Sequence, residues 1–394
     1  MNATIHPALL GSLSSTAPSE EMINFSPGPT SLPKAVEVRI AASFNTTGLT
    51  SLSLSHRAPE FLEILDHAIA TARKVMEIPE DYEVLFTHGG GHGQFAALPL
   101  NLCHNQSDIA SYVVNGTWSS RGVDEAKRYC DVKVIDGRDP KTGGFTSFPE
   151  LTEANIDPNS KYVYLCSNET VNGIELHRLP KLPESLKHIP LVVDASSDFS
   201  TKPIDWHGCG VGVLFACASK NIGHPGLTMT VIRKDLLGKD KASPLCPGVF
   251  NYTTNSEAGN LWNTPATFNI EVVGFLMDWI EQEGGVHEME RRSIAKATAL
   301  YDVIDSSNDF YGTPVDQKIL RSRMNVPFNI KGGDEEMTNK FLIESWDRGM
   351  IGLRTLTPFG VGDYLRASLY NGVTVEDATR LANFMREFAA KQGA

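Results

Sequence analysis

An aspartate and a lysine that each follow a run of apolar residues are the first candidates for chemistry. Asp194 ends the run LVVD within LVVDASSDF, and Lys220 follows VGVLFACAS. Open α/β sheets bind ligands at the carboxyl ends of their strands. A lysine amine there can form a Schiff base with a carbonyl cofactor, and a nearby carboxylate can pair with the pyridine nitrogen of pyridoxal phosphate. The structural alternative is a lysine in a surface turn and a carboxylate that caps a strand end.

Three further segments after predicted strands carry groups that an aromatic phosphate cofactor would need. THGGGHG at 87–93 opens a helix, whose first N–H groups can bind a phosphate. Trp118 in VNGTWSS offers an indole that can stack on a ring, and Thr170, after YVYLCSNE, offers a hydroxyl. A tight turn, a core tryptophan and a turn residue are the respective structural alternatives. Because all of these groups follow predicted strands, we expect them to converge on one cofactor site.

Two histidines raise the question of a metal site. His88 and His92 are four residues apart, but three glycines separate them, which argues against a helical register. No third ligand is evident in the sequence, and zinc sites in proteins use at least three protein ligands. We therefore predict no metal site.

The elements that must position these groups alternate between strand and helix up to about residue 285. Short apolar runs of this kind are typical of buried parallel strands. We predict strands at 83–87, 113–114, 132–135, 162–166, 191–193, 211–217 and 228–232, and helices at 59–77 and 94–102. This alternation predicts an α/β fold, in which a mostly parallel sheet lies between helices.

The pattern changes beyond residue 285. Residues 286–304 and 336–349 have amphipathic helical periodicity, and the alternation over 324–330 predicts a half-exposed strand. Thr374 and Asp377 form a capping-box pattern before a last helix. We therefore predict a flexible tail at 1–22, a large cofactor-binding domain at 23–285 and a smaller α+β C-terminal domain at 286–394. A helix at 270–283 could bridge the two domains.

Composition limits the partners and the compartment. The 394 residues include 35 Lys or Arg and 47 Asp or Glu, a net charge of -12, which disfavours nucleic-acid binding. No apolar run approaches the length of a membrane span, so we expect no membrane partner. Six scattered cysteines are expected to be reduced and mostly buried. Residues 1–22 contain no Lys or Arg, which argues against a secretory or mitochondrial signal and favours the cytoplasm.

Several sequence blocks together resemble the phosphoserine aminotransferases, a family within the class V pyridoxal-phosphate-dependent aminotransferases of fold type I. The similarity runs from NFSPGPTSLP at 24–33 to RASLYNGVT at 366–374. The most specific blocks are SHRAPEF (55–61), GGGHGQFAALPLNL (89–102), NETVNGIE (168–175), DASSDF (194–199), SKNIG (219–223) and NTPATF (263–268). The resemblance implies a fold type I PLP-transferase, with a mostly parallel seven-stranded sheet between helices in its large domain.

The resemblance assigns roles around pyridoxal 5'-phosphate. It implies Lys220 as the catalytic Schiff-base lysine and Asp194 as the partner of the ring nitrogen. It also implies that Trp118 stacks on the ring and that Thr170 lies near the 3-hydroxyl. Other residues would bind the phosphate: the backbone amides of Gly91 and His92, the Ser219 side chain, and Asn263 and Thr264 from a second subunit. A homodimer with shared active sites follows from the last pair.

Substrate recognition is where the sequence departs from the family. The resemblance assigns His56 and Arg57 to the substrate phosphate and Arg366 to the α-carboxylate, which a guanidinium binds as a bidentate fork. The family carries a Gly-His-Arg triplet upstream of that last arginine. This chain instead has the longer segment GLRTLTPFGVGDYLRAS, where Arg354 adds a positive charge and Asp363 a negative one. Ser219 stands where the family usually has glutamine.

Three functions remain open from the sequence. The resemblance favours transamination of 3-phosphohydroxypyruvate with glutamate by ping-pong kinetics through an internal aldimine, giving phosphoserine and 2-oxoglutarate for serine biosynthesis. The unusual segment at 353–365 favours a second reading, an aminotransferase for another small acidic or non-phosphorylated keto acid. A binding or scaffold protein that has kept only the fold is the third, and the joint presence of Lys220, Asp194 and Trp118 argues against it.

Overall fold

The computed structural model describes residues 22–356 and 362–393. Strands and helices alternate through the first part of the described chain. The strands are β1 (Ile23–Asn24), β2 (Tyr82–Thr87), β3 (Ile109–Val114), β4 (Asp131–Asp136), β5 (Ser160–Cys166), β6 (Asn168–Glu169), β7 (Ile174–Glu175), β8 (Leu191–Asp194), β9 (Val211–Cys217), β10 (Thr228–Arg233), β11 (Tyr311–Gly312), β12 (Asn325–Ile330), β13 (Met350–Ile351), β14 (Arg354–Thr355) and β15 (Leu365–Ser368).

The described residues also form α-helices between and beside these strands. They are α1 (Lys34–Ser43), α2 (Pro59–Val75), α3 (Gly90–Leu102), α4 (Thr117–Ala126), α5 (Tyr252–Glu257), α6 (Thr267–Gln282), α7 (Gly285–Asp305), α8 (Glu335–Asp347) and α9 (Val375–Lys391). Short 3₁₀ helices lie at Glu184–Leu186, Lys234–Leu236, Gly248–Phe250 and Lys318–Leu320. The helices predicted at 59–77, 286–304 and 336–349 are confirmed within a few residues.

A seven-stranded sheet forms the centre of the molecule, in the order β2-β10-β9-β8-β5-β3-β4. Strand β10 is antiparallel to both of its neighbours, and the remaining pairs are parallel. Alternate residues of one strand enter different hydrophobic cores. In β5, Val163 and Leu165 pack with α2 and α6, whereas Tyr162 and Tyr164 pack with α3 and α4. The predicted mostly parallel sheet between helices is therefore confirmed.

The C-terminal part packs around a second sheet. Strands β11, β12, β15 and β14 form a four-stranded antiparallel sheet, which packs with helices α7, α8 and α9. Strand β1 pairs with β13, and Ile23 and Phe25 enter this core rather than the core of the large sheet. The capping box is confirmed, since Thr374 Oγ1 accepts the Asp377 N–H at 3.0 Å. The domain boundaries remain predictions.

The prediction of a half-exposed strand at 324–330 was wrong. Most residues of β12 are buried, including the polar Asn325. Its amide contacts Asn168 at 2.9 Å, Ser368 at 3.0 Å and Tyr370 at 3.3 Å. Alternation of polar and apolar residues indicates exposure only where the polar face meets water, and here that face meets a buried polar network.

Several other expectations concern the surface and the cysteines. No helix in the described ranges is long and apolar enough to cross a membrane. All six cysteines carry free thiols; four are buried, and Cys217 and Cys246 are half-buried.

Helix α3 begins at Gly90 rather than at the predicted residue 94, because the glycine-rich turn is itself the start of the helix.

Candidate active site

The carboxyl ends of β5, β8 and β9 lie beside a cavity of about 410 Å³. This is the edge of the sheet at which α/β folds bind ligands. Seven of the residues predicted from the sequence line it, and they come from segments far apart in the chain: Gly91, His92, Trp118, Thr170, Asp194, Ser219 and Lys220. The convergence expected from the strand ends is therefore present in the structure.

Asp194 is a buried carboxylate at the end of β8. Its Oδ1 accepts the Ser196 N–H at 2.9 Å, and its Oδ2 accepts the Tyr164 hydroxyl at 3.4 Å. Burial raises the pKa of Asp194 to about 7, against the effect of the Ser196 hydrogen bonds, and the nearby Glu169 raises it further. Asp194 forms no ion pair with any Lys, Arg or His of the described residues. A positively charged group of a ligand can therefore pair with Asp194.

Lys220 lies against the N-terminal segment NFSPGPT. Its Nζ donates a hydrogen bond to the Pro27 carbonyl, and the Tyr370 hydroxyl donates to the same oxygen at 3.1 Å. A Cβ at position 28 would lie 2.6 Å from Nζ, and Gly28 has a φ of +128°. The backbone conformation favours glycine, and a Cβ there would displace the amine of Lys220. The segment NFSPGPT, with which the family resemblance begins, thus packs against the Lys220 amine.

The glycine-rich turn directs a helix N-terminus toward the cavity. Gly89 and Gly90 have φ values of +88° and +60°, and α3 begins at once. The first N–H groups of a helix have no partner within the helix, and they carry its positive dipole end. The backbone of Gly91 and the imidazole of His92, whose ring lies 5.9 Å from that of Trp118, both line the cavity. This arrangement can bind a phosphate group.

Trp118 and Thr170 also line the cavity, and they contact each other. The Trp118 Nε1–H donates to Thr170 Oγ1 at 2.6 Å. The Arg121 guanidinium lies 4.8 Å from the centre of the Trp118 ring, within the range of a cation–π contact. The indole is therefore held at its edge and at its face. Its remaining surface can stack on an aromatic ligand.

Arg366 lies just outside the residues that line the cavity. It is a residue of β15, it is 4% exposed, and its Nη1 donates to the Thr170 carbonyl at 2.7 Å. Arg366 is thus bonded to a residue that lines the cavity, and its role toward a substrate carboxylate remains a prediction. Much of the unusual segment before it, 357–361, lies outside the described residues, and so does the side chain of Arg354.

Besides Arg366, four predicted residues do not line this chain's own cavity. His56 and Arg57 lie between α1 and α2, half-buried and exposed respectively. Asn263 and Thr264 are exposed, and Asn263 Nδ2 lies 3.0 Å from Nε2 of His88. The roles given to all four by the family resemblance remain predictions. Among the described residues there is no group of three His, Cys, Asp or Glu side chains that could hold a metal.

The residues present fit pyridoxal phosphate. They bring together an amine, a buried carboxylate without a cation, a helix N-terminus and the face of an indole. These match, in turn, the aldehyde, the ring nitrogen, the phosphate and the ring of that cofactor. Several contacts were not evident from the sequence: the Pro27 carbonyl, the Tyr370 hydroxyl and the buried carboxylate of Glu169. Only the quoted blocks NFSPGPT, RASLYNGVT and NETVNGIE gave a signal for them.

Comparison with known proteins agrees with this geometry. The model of the class-V aminotransferase family matches residues 22–381. A probable phosphoserine aminotransferase of Caenorhabditis elegans is 40% identical over 372 residues, which are 93% of this chain and 96% of the relative. The phosphoserine aminotransferase of Drosophila melanogaster is 39% identical over 372 residues, with coverages of 93% and 98%.

Solved structures show the same relationship. The phosphoserine aminotransferase from Bacillus circulans subsp. alkalophilus has a TM-score of 0.86 and 33% identity, covering 95% of this chain and 100% of the other. The PLP-bound enzyme from Trichomonas vaginalis has a TM-score of 0.83 and 32% identity, with coverages of 93% and 100%. This chain belongs to the class-V aminotransferase family and has the α/β architecture of fold type I.

Proposed function

We propose that the protein is a PLP-dependent phosphoserine aminotransferase. It transfers the amino group of L-glutamate to 3-phosphohydroxypyruvate and gives O-phospho-L-serine and 2-oxoglutarate, a step of serine biosynthesis. The observation that carries the proposal is the single cavity shared by Lys220, Asp194 and Trp118. It occurs in a chain that is similar over more than nine-tenths of its length to proteins named phosphoserine aminotransferase.

The chain's own residues then have defined tasks. When bound, pyridoxal phosphate supplies an aldehyde that accepts an amino group and a ring that withdraws electrons. Lys220 would hold the aldehyde carbon at rest. During turnover its amine would take the proton from the α-carbon of the substrate as general base and, as general acid, deliver it to the former aldehyde carbon of the cofactor. The Pro27 carbonyl holds one N–H of that amine and so orients its lone pair.

Other residues would hold the cofactor. Asp194 keeps a proton on the ring nitrogen, and Trp118 covers the ring face. The N–H groups of Gly91 and His92, with the Ser219 hydroxyl, bind the phosphate. Thr170 Oγ1 accepts the indole N–H of Trp118, so its own hydroxyl hydrogen points away from the indole and is available to the 3-hydroxyl oxygen.

Recognition of the substrate requires cations besides Lys220, and no arginine of the described residues lines this chain's own cavity. Arg366 binds the α-carboxylate of every substrate. His56 and Arg57 bind the substrate phosphate in the cavity of a second copy, and Asn263 and Thr264 reach the cofactor phosphate there. Exposed apolar side chains lie close to these segments in the sequence: Leu49 and Leu52 before His56, and Trp262 before Asn263. Such side chains are typical of an interface, and they support a homodimer with shared active sites.

The remaining parts of the proposal concern location and partners. The free thiols of all six cysteines support a cytoplasmic enzyme. Its partners are small-molecule substrates and a second copy of the chain. The acidic net charge argues against a nucleic-acid partner.

A second candidate function has one observation in its favour. The segment before Arg366 lacks the His-Arg pair of the family, which favours another small acidic or non-phosphorylated keto acid. The test is a screen of the purified pyridoxamine form against 3-phosphohydroxypyruvate, pyruvate, hydroxypyruvate, sulfopyruvate and oxaloacetate. We expect 3-phosphohydroxypyruvate to react fastest. A faster reaction with another acid would replace the proposed substrate, and no reaction with any of them would leave a binding protein as the better account.

A further inference from the structure

Glu169 is a fully buried carboxylate beside the cavity that none of the roles above uses. It ends β6, immediately before Thr170, and its side chain is 0% exposed. Its Oε2 accepts the Trp118 N–H at 2.9 Å. Its Oε1 accepts the Ser119 N–H at 2.7 Å and the Ser119 hydroxyl at 2.6 Å. No cation of the described residues pairs with it, so its only partners are donors at the start of α4.

The donors show that Glu169 acts as an ionised acceptor. The Ser119 Oγ already accepts the N–H groups of Asn115 at 3.0 Å and Gly116 at 3.1 Å, so both of its lone pairs are used. It therefore cannot accept from Glu169, and its hydrogen points to the carboxylate at 2.6 Å, with the Gly116 carbonyl as a second acceptor at 3.2 Å. The two backbone N–H groups can only donate. A protonated carboxyl would have no acceptor among these three groups.

Gly116 leaves the space that this carboxylate occupies. A Cβ at position 116 would lie 2.3 Å from Cδ of Glu169 and 2.6 Å from its Oε2. The φ of Gly116 is 178°, an extended conformation that any residue can adopt. The glycine is therefore required by the close approach of Glu169 and not by the backbone.

Residues 169 and 170 hold the same tryptophan at its two ends. Glu169 binds the backbone N–H of Trp118, and Thr170 binds its indole N–H at 2.6 Å. A two-point attachment fixes both the position of the Cα atom and the direction of the ring. The loss of either point would free one end of the side chain.

We propose that Glu169 is a positioning residue for the cofactor ring, because its carboxylate fixes the backbone from which the Trp118 indole reaches into the cavity. The proposal rests on the proposed function, in which Trp118 stacks on pyridoxal phosphate. It gives Glu169 a task beyond that of a helix cap: the angle and distance of the indole, and with them the affinity for the cofactor, depend on this carboxylate.

The first test replaces Glu169 with glutamine, which has the same shape. An amide has one oxygen, so one of the two backbone N–H groups of α4 then faces an NH₂ donor. We expect the dissociation constant of the cofactor-free protein for pyridoxal phosphate, measured by visible absorbance, to rise at least about fivefold, or about 1 kcal/mol. The induced circular dichroism of the bound cofactor should be weaker, since the indole no longer has one orientation.

A second variant reaches the same contact from the other side. Gly116→Ala keeps Glu169 in the sequence but displaces its carboxylate from the N–H groups of α4. We therefore expect the same rise in the dissociation constant for pyridoxal phosphate. Gly144→Ala is the matched control, because a Cβ there has only the Thr142 side chain within 4 Å, at 3.5 Å. It should bind the cofactor like the unchanged protein.

The outcomes separate this inference from the proposed function. If Glu169→Gln and Gly116→Ala fold, melt at lower temperature and still bind the cofactor within about twofold of the unchanged protein, Glu169 only caps α4 and the inference is overturned. If instead the unchanged protein shows no visible absorbance band that depends on Lys220, the proposed function fails, whatever the two variants do.

Discussion

Two buried acidic clusters lie side by side in this molecule, and only one of them contains its own cation. Each of two segments gives one acid to each cluster: DASSDF provides Asp194 and Asp198, and NETVNGIE provides Glu169 and Glu175. In the first cluster, Glu175 and Asp198 bind Lys202 Nζ at 2.8 and 2.6 Å. The second cluster consists of Asp194 and Glu169. Asp194 and Glu169 form no ion pair among the described residues.

Because only the first cluster contains a cation among the described residues, we infer that it stabilises the fold, whereas the second cluster belongs to a binding site. Burial opposes all three charges of the first cluster. Its ion pairs nevertheless lower the pKa of Glu175 and raise that of Lys202, while burial raises the pKa of Asp198. In the second cluster, burial raises the pKa of both Asp194 and Glu169. A buried charge without a partner is costly, and functional sites are where such a cost is retained. The missing cation is what the protonated ring nitrogen of the cofactor would supply.

The largest expected effect on turnover comes from Asp194→Asn. An asparagine cannot keep a proton on the ring nitrogen, so we expect turnover to fall at least about 100-fold, or about 2.7 kcal/mol in the barrier. Asp198→Asn, four residues away in the first cluster, should lower stability without changing the visible spectrum of the bound cofactor. A loss of less than tenfold in Asp194→Asn would mean that this carboxylate does not contact the ring nitrogen.

Lys202→Met tests the first cluster. The substitution leaves Glu175 and Asp198 buried without their cation, and we expect the free energy of unfolding to fall by about 3–5 kcal/mol in urea denaturation. Adding Glu175→Gln and Asp198→Asn should recover part of that loss, because no uncompensated charge then remains. If Lys202→Met costs less than about 1 kcal/mol, the first cluster is not the balanced structure described here.

The raised pKa of Asp194 makes the stability of the cofactor-free protein depend on pH. The carboxyl of Asp194 loses its proton near pH 4 in the unfolded chain, but its pKa in the folded protein is about 7. Between these values the folded state binds more protons, so this group makes the cofactor-free protein less stable as the pH rises, by up to about 4 kcal/mol. The difference in unfolding free energy between the unchanged protein and Asp194→Asn should follow this trend. A difference that is constant from pH 4 to 7 would contradict it.

The smallest expected effect comes from Arg57, a cation outside both clusters that we propose binds the substrate phosphate. A charge-assisted hydrogen bond contributes about 1.5–3 kcal/mol, so Arg57→Ala should raise the KM for 3-phosphohydroxypyruvate at least about tenfold. The KM for glutamate should change less, since its distal group carries one charge. Arg128→Ala, another exposed arginine, is the control. Equal effects on phosphorylated and unphosphorylated keto acids would remove Arg57 from phosphate recognition.

The sequence predicted the site well where a functional residue directly follows a strand. Asp194 and Lys220 follow apolar runs, and the edge of a parallel sheet brings such strand ends together. The role inferred for Glu169 could not be predicted in this way, because it depends on contacts with Trp118 and Ser119, about fifty residues earlier. Strand β12 was mistaken for a half-exposed strand for a similar reason: the partners of Asn325 come from distant segments.

The pKa of Asp194 with and without cofactor tests the central claim most directly. It can be followed by carbon NMR of aspartate-labelled protein, with Asp194→Asn to assign the signal. Without cofactor we predict a pKa of about 7, as burial dictates. With pyridoxal phosphate bound, the ring-nitrogen proton should lower this pKa well below 7, because an opposite charge at hydrogen-bond distance favours the carboxylate. An unchanged pKa would contradict the claim that the second cluster receives its cation from the cofactor.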